Sequence, residues 1–275
     1  MTTQAPRANG LANHGANALI CGHIDTQNLR LVWNEAAWDS RVFGYPVLQV
    51  VAIEVRSPDA ACDLTPLIQA IDASGCGLVS CRLAHDKLRE SMLLEEIGFR
   101  FIEMLYQPTL DLAKAGAPTS CDHGMTVSTA TEQDMPRVLA IAGSAFQNER
   151  IHMDPRLPSR LGDMRYQNWA RDALTHSSQR LKILREKNEI VAFFVTEDQP
   201  DKTCYWHLNA VAPDAQGRGV GRRTWRAMLE DAQLGGAKRV QTSIVARNNR
   251  VLNLYASLAF TFPPPLMTFH WVRRT

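Results

Sequence analysis

Apolar positions along this chain follow two patterns that take turns. Short runs rich in β-branched and aromatic residues have the period of strands, and longer stretches have the spacing of amphipathic helices. Residues 47–55 (V-L-Q-V-V-A-I-E-V) read as a strand. Residues 64–73 read as a short helix, 77–83 as a strand, and 85–97 as a helix stopped by Gly98. Residues 99–112 alternate far enough for one long strand, residues 30–38 are mixed, and 40–46 look like a turn. Ordered sequence is expected from about His23.

The pattern then breaks at A-K-A-G-A-P-T-S-C-D-H-G, residues 113–124, which is small and polar and carries glycine and proline. We place a linker at 114–124, between an N-terminal domain at 23–113 and a second domain at 125–275. Residues 1–22 are expected to be a mobile tail. The second half restarts with a strand at 125–130 and a helix at 132–146 capped by Thr131, with Pro136 near its start. Residues 147–163 look irregular, and 164–175 helical. Residues 180–185 and 189–195 read as a hairpin turning at Lys187-Asn188. Then come a strand at 205–211, a loop, a helix at 224–234, a strand at 239–245, a helix at 250–258 and a strand at 266–272. The whole reads as a two-part α/β protein.

The two halves share an echo. L-L-E-E-I-G-F-R-F, from Leu93, and L-Y-A-S-L-A-F-T-F, from Leu254, match at Leu93/Leu254, Ile97/Leu258, Phe99/Phe260 and Phe101/Phe262. Duplication of a half-domain and the common pattern of helix-to-strand turns both account for it.

Composition narrows the function classes. Of 275 residues, 45% are hydrophobic and 21% charged, and the formal net charge is +2, so bulk charge gives no reason to expect a nucleic-acid or membrane partner. The six cysteines form no C-x-x-C pair and lie beside no histidine at metal-ligand spacing, so no metal is expected and they read as reduced thiols of a cytoplasmic protein. The first twenty residues lack a signal-peptide pattern, and no long apolar run suggests a membrane span.

The candidate chemistry sits between the strand at 205–211 and the helix at 224–234, in A-P-D-A-Q-G-R-G-V-G-R-R. Glycines allow close backbone approach, successive N–H groups form an anion nest, and the helix start adds its positive end. Arg218, Arg222 and Arg223 add charge. The loop lacks the G-K-S/T of a Walker loop, and its G-x-G-x-G spacing at 217, 219 and 221 differs from a dinucleotide fingerprint.

Gln216-Gly217-Arg218-Gly219-Val220-Gly221 resembles the Q/R-x-x-G-x-G/A motif of the GCN5-related N-acetyltransferases (GNAT), and Ala210-Val211-Ala212-Pro213 resembles the strand end before it. Downstream, Asn248, Tyr255 and Phe260 are similar to the family's N-x-x-A-x-x-L-Y-x-x-x-G-F, with Val251 and Ala259 as departures. The resemblance covers residues 125–275. It implies a GNAT fold, a mixed central twisted sheet flanked by helices, preceded here by a smaller partial GNAT-like α/β domain. It also implies acetyl-CoA as cosubstrate and an acyltransferase that acetylates a primary amine by direct attack.

Residue by residue, the resemblance implies that the backbone from Gly217 to Gly221, with Gln216, Arg218, Val220 and Arg222, holds the pyrophosphate. Ala210 and Val211 pair with the pantetheine arm, Asn248 lies near it, and Tyr255 is a general acid at the sulfur. Strand amides near Val211 would meet the thioester oxygen. His207 is the candidate base, on one face with Tyr205 and Asn209 if the strand is regular. His152 and Asp154 are weaker candidates, and an amine that arrives neutral needs none.

A narrower likeness is to TDP-fucosamine acetyltransferase-like two-part enzymes, through Ala37-Trp38-Asp39-Ser40, Phe43-Gly44 and Tyr166-x-x-Trp169. It makes an amino-sugar nucleotide the first acceptor to consider, with Arg150, Arg156 and Arg160 toward its phosphates. Protein or peptide amines, and a non-catalytic CoA-binding regulator, are the alternatives. A homodimer is also consistent with the sequence.

Overall fold

The computed structural model describes residues 21–114 and 124–274, so most of the expected tail and linker lies outside the described residues. The backbone groups into two compact units. One takes the residues up to Glu103 together with those from Leu266 onward, and the other is Met104–Pro265. The expectation kept residues 266–275 with the second domain, whereas their strand pairs in the first unit.

The first unit is built from β1 (Cys21–Asp25), β2 (Leu29–Glu35), α1 (Ala37–Phe43), β3 (Val47–Val55), α2 (Thr65–Ala73), β4 (Leu78–Ala84), α3 (Leu88–Glu96), the start of β5 (Arg100–Tyr106) and β13 (Leu266–Val272). Its sheet runs β1-β2-β3-β4-β13, antiparallel except for the parallel pair β3–β4. β13 pairs with β4 over seven positions, from Leu266↔Ala84 to Val272↔Leu78, and buries Phe269 in the unit's core with Leu31, Leu48, Leu67, Val79 and Leu94. The expected turn at 40–46 is mostly the last turn of α1. Gly44 ends that helix in the left-handed region, φ 75°, and the Ser40 hydroxyl accepts the Val47 N–H at 2.9 Å.

The second unit holds the end of β5, β6 (Thr109–Asp111), β7 (Thr126–Thr129), α4 (Met135–Ala145), α5 (Arg150–Met153), α6 (Ser159–Ala173), β8 (Gln179–Glu186), β9 (Glu189–Asp198), β10 (Thr203–Val211), α7 (Val220–Leu234), β11 (Arg239–Thr242), β12 (Ile244–Val245) and α8 (Asn249–Ser257). Six strands form a sheet in the order β6-β11-β10-β9-β8-β7, with only β10–β11 parallel. One face packs on α4 and α6 through Val138, Ile141, Tyr166, Phe193, Leu208 and Ala210. The other packs on α7 and α8 through Phe194, Trp206, Trp225, Met228 and Tyr255.

The expected hairpin forms, with Lys187 and Asn188 both at positive φ, 48° and 72°, the geometry of a two-residue turn matched to strand twist. Three expected elements differ. The long strand at 99–112 breaks at Gln107-Pro108, because proline has no N–H for a ladder. The Pro108 carbonyl instead accepts the Thr242 N–H at 3.1 Å, and β6 continues beside β11. The strand at 239–245 splits at Ser243: β11 stays with β10, while β12 pairs with Leu105 and Tyr106. The irregular stretch at 147–163 contains α5 and the start of α6, which begins after Pro158.

The sequence echo is also an echo of backbone hydrogen bonds. Phe99 N–H donates to Leu94 and Gly98 N–H to Glu95 at the end of α3; Phe260 donates to Tyr255 and Ala259 to Ala256 at the end of α8. Both ends are Schellman turns with a left-handed residue, Gly98 at φ 92° and Ala259 at φ 63°. The alanine departure therefore keeps the turn at a strain of about 1 kcal/mol. Replacing Ala259 with glycine should raise stability by about 1 kcal/mol, and the melting temperature by about 2–4 °C, in calorimetry.

The start of α4 is fixed by one carboxylate. Asp134 Oδ2 accepts both the Thr131 N–H and its hydroxyl at 2.8 Å, and Asp134 Oδ1 pairs with Arg185 of β8. Burial pushes the Asp134 pKa up, but the bonds from Thr131 and Arg185 together hold it below the usual value. A lowered folded pKa gives stability that is present above the unfolded value, about 3.9, and is lost as pH falls through the folded one. Asp134→Ala should cost about 1–3 kcal/mol at neutral pH and flatten the acid side of the stability curve, read by urea melts from pH 7 to pH 3.

Candidate active site

The site begins where two parallel strands stop pairing. β10 and β11 run together from Thr203↔Arg239 to Trp206↔Thr242 and no further. Past that point β12 pairs with the end of β5, so residues 207–211 of β10 keep β9 on one edge and, among the described residues, no strand on the other. Thr242 marks the parting, its hydroxyl donating to the Trp206 carbonyl at 2.9 Å. Ala212 N–H bonds Val191 of β9, so by alternation the polar groups of Ala210 turn toward β9 and those of Asn209 and Val211 toward the open edge.

The glycine loop closes the end of this edge. Gly217 and Gly219 lie at φ 86° and 71°, and a Cβ on either would meet nothing within 4 Å. Gly219 is the N-cap of α7 and brings no side chain to its first amides, which therefore point outward as donors at the positive end of a fifteen-residue helix. Val220 is buried and anchors the helix start, and Gly221 lies against Leu254, 3.7 Å from the position of a Cβ. Gln216 ties the parts together: its Nε2 donates to the Val211 carbonyl at 3.2 Å, and its Oε1 accepts from Arg250 at 2.9 Å. Arg218 and Arg222 are exposed, with Arg218 donating to the Asp214 carbonyl, and Arg223 pairs with Glu186 at 2.5 Å. Asn248 caps α8, accepting the Val251 N–H at 3.3 Å.

Tyr255 comes to the open edge from the other side. Its ring is fully buried against Trp225 and Phe260, and its hydroxyl donates to Asn209 Oδ1 at 3.4 Å. Asn209 Nδ2 in turn meets the Thr242 hydroxyl at 3.4 Å. Burial pushes the Tyr255 pKa up to about 12, so the phenol keeps its proton at neutral pH.

His207 occupies a β-bulge. The β10–β9 register shifts between Trp206 and Leu208, leaving His207 as the extra residue. This overturns the regular-strand expectation of one face for Tyr205, His207 and Asn209. His207 lies with Tyr205 and Trp169 of α6, ring centroids 4.7 and 6.0 Å away, while Asn209 lies on the Tyr255 side. His207 Nε2 meets Glu197 Oε2 at 2.6 Å. Burial lowers the His207 pKa and outweighs the opposing pull of Glu197, so the imidazole is neutral at pH 7.

Other candidates fall elsewhere. His152 is buried, with Nε2 on Asp163 at 3.0 Å and its ring parallel to Tyr166. Buried Asp154 grips Arg156 by two bonds, at 2.9 and 2.8 Å, and Arg150 is itself buried, while Arg156 and Arg160 are exposed. Tyr166 packs in the core and stacks on Phe146, and Trp169 is half-buried beneath Arg165. Sequence reasoning missed Glu197, Asn209 and Thr242 as partners. A carboxylate just beyond the apolar run I-V-A-F-F-V of β9 was the available signal for Glu197. The described cysteines are all free, and among the described residues no cluster suited to a metal is present.

Residues 144–260, from the end of α4 through the turn after α8, match the family described as Acetyltransferase (GNAT) family. No curated protein matches the chain. Among solved structures, a functionally unknown conserved protein from Staphylococcus epidermidis ATCC 12228 is 11% identical with a TM-score of 0.63, over 91% of this chain and 93% of that one. A GCN5-related N-acetyltransferase from Sphaerobacter thermophilus is 15% identical with a TM-score of 0.61, over 92% and 83%. A tandem GNAT protein from the clavulanic acid biosynthesis pathway is 10% identical with a TM-score of 0.56, over 89% and 79%. At these identities the likeness is one of fold. Residues 144–260 are thus similar to the acetyltransferase (GNAT) family, and the chain as a whole shares the fold of GNAT proteins.

Proposed function

We propose that the protein transfers an acetyl group from acetyl-CoA to a primary amine. The observation that carries this reading is the open edge of β10 between two prepared groups, the α7 N-terminus with its bare glycine cradle and the Tyr255 hydroxyl. An extended pantetheine chain fits a strand edge whose N–H and C=O groups lack a partner strand, as in strand addition. A pyrophosphate fits the outward amides of α7, with Arg218 and Arg222 exposed beside them.

When bound, acetyl-CoA supplies an activated acyl carbon and a thiol leaving group. The chain's own residues do the rest. Asn209 and Val211 offer backbone groups along the open edge, among them donors for a developing oxyanion. His207, neutral at pH 7, takes the proton that the amine nitrogen gives up. Tyr255, still protonated, delivers one to the departing sulfur, guided by its bond to Asn209. The bulge puts these two groups on opposite faces of one strand, so each proton has its own route.

The reading stops at a primary amine. Arg156 is neutralised by Asp154 and Arg150 is buried, which leaves the arginine set no longer a reason to prefer a nucleotide-linked amino sugar over other small amines.

Acetyl-CoA at a hundredfold excess over its Kd should add about 2.7 kcal/mol of stability and raise the melting temperature by several degrees. Gly219→Val forces a β-branched residue to positive φ at the cradle and should abolish that shift. Thiol release from acetyl-CoA across a panel of primary amines, an amino-sugar nucleotide and a lysine peptide included, tests transfer itself. Binding without acceptor-dependent release from any of them would favour a CoA-binding regulator instead. Tyr255→Phe should keep the thermal shift and lower kcat by about 100-fold.

A further inference from the structure

Four side chains on the α6 side of the sheet form a connected polar chain that a packed strand surface does not need. His207, on the bulge of β10, gives Nε2 to Glu197 of β9 at 2.6 Å. Glu197 Oε1 accepts the Ser178 hydroxyl at 2.7 Å, so each carboxylate oxygen has its own donor. His176 Nδ1 accepts the N–H groups of Ser178 and Gln179 at 3.1 Å and fixes the turn that presents Ser178. The His207 side chain is only 5% exposed and Glu197 28%. The other ring nitrogen, Nδ1, has no hydrogen-bond partner among the described residues.

A carboxylate only accepts hydrogen bonds, so a neutral imidazole facing it at 2.6 Å must carry its proton on Nε2. We propose that Glu197, held by Ser178, is the positioning residue that locks His207 in this tautomer and so makes Nδ1 the atom that accepts the proton of the acceptor amine. The proposal rests on the acetyltransfer reading for its substrate, but the tautomer and its cause belong to the protein alone. In the step, an N–H bond of the attacking amine breaks and an N–H bond forms at Nδ1. The imidazolium is stabilised by the Glu197 carboxylate and then gives its proton to water, which restores the dyad. No oxidant or further reactant is needed.

The groups facing His207 are few. Glu197 comes from β9, Tyr205 from β10 itself, His176 from the turn before β8, and Trp169 with the Arg165 cation over its ring from α6. Glu197 is the only carboxylate among them and favours the protonated ring. His176 and Arg165 oppose it when charged. Burial pushes the Glu197 pKa up, but its bonds from Ser178 and His207 more than offset this and hold it below the usual carboxylate value.

Nitrogen-15 spectra of histidines in the full chain, with His207 assigned by its loss in His207→Gln, read the tautomer directly. The expected result is an Nε2-protonated ring in the wild type. In Glu197→Gln, the tautomer preference should be lost and the His207 titration should move at least half a pH unit toward acid. Glu197→Asp, which keeps the charge but withdraws it by one methylene, should fall between. With an accepted amine, Glu197→Gln should lower kcat about tenfold and move the acid limb of the pH–rate profile the same way, while KM for acetyl-CoA stays unchanged.

An Nδ1-protonated ring, or a His207 titration and acid limb unmoved in a folded Glu197→Gln protein, would overturn the proposal. An absence of thiol release from any amine would instead sink the acetyltransfer reading and leave the tautomer result standing.

Discussion

The second unit depends on two parallel strands being kept apart after four residues of pairing. A continuous β10–β11 ladder would satisfy every backbone group and leave no place for a ligand. Three local features prevent it. Thr242 is the last residue of the pairing, its hydroxyl donating to the Trp206 carbonyl and its N–H to the Pro108 carbonyl on the other side. Ser243 interrupts the strand, and β12 finds its partner in the end of β5. The glycine loop and the start of α7 then sit where the edge of β10 runs out. The cost of an unpaired edge inside a folded domain is considerable, since buried backbone groups without partners are destabilising. That cost is reason to read the edge as a binding surface.

The β-bulge does a second job on the same strand. In a regular strand, side chains two apart share a face, and His207 and Asn209 would both meet Tyr255 or both avoid it. One extra residue at 207 separates them. His207 joins the carboxylate chemistry of β9 on the α6 side, and Asn209 joins the phenol chemistry of α8 on the other. The proposed acid and base therefore lie in separate surroundings, one a packed aromatic cluster whose burial keeps a phenol protonated, the other a buried imidazole kept neutral by desolvation against the pull of its carboxylate.

Much of the fold was legible because its signals are local. A run of β-branched residues marked β3, a left-handed glycine marked the end of α3, and Lys187-Asn188 marked the hairpin. The glycine loop was legible because only residues that tolerate positive φ can make that turn. The errors came from choices made by partners distant in sequence. Pro108 and Ser243 break strands that look continuous in pattern, and whether they do is decided by which neighbour takes the freed N–H and C=O groups. The bulge at 207 leaves no mark in a periodicity of two. Glu197 is ten residues from His207 along the chain, and their meeting follows from the β9–β10 register alone. Arg150 and Arg156 looked like free cations because the burial of the first and the grip of Asp154 on the second are tertiary facts.

The strand that completes the first unit's sheet is made last. β13 pairs with β4 nearly two hundred residues earlier and supplies Phe269 to a core otherwise built from residues 24–99. On a ribosome the second unit has all of its chain before β13 exists, whereas the first unit waits with one flank of β4 uncovered. Synthesis therefore inverts the order of the sequence: the later half can reach its native core first, and the earlier half is finished only by the final strand. Until then the exposed ladder of β4 is an edge that another chain could occupy. The nascent protein thus has a period of risk that the finished one does not, and its length is set by the time taken to translate the whole second unit.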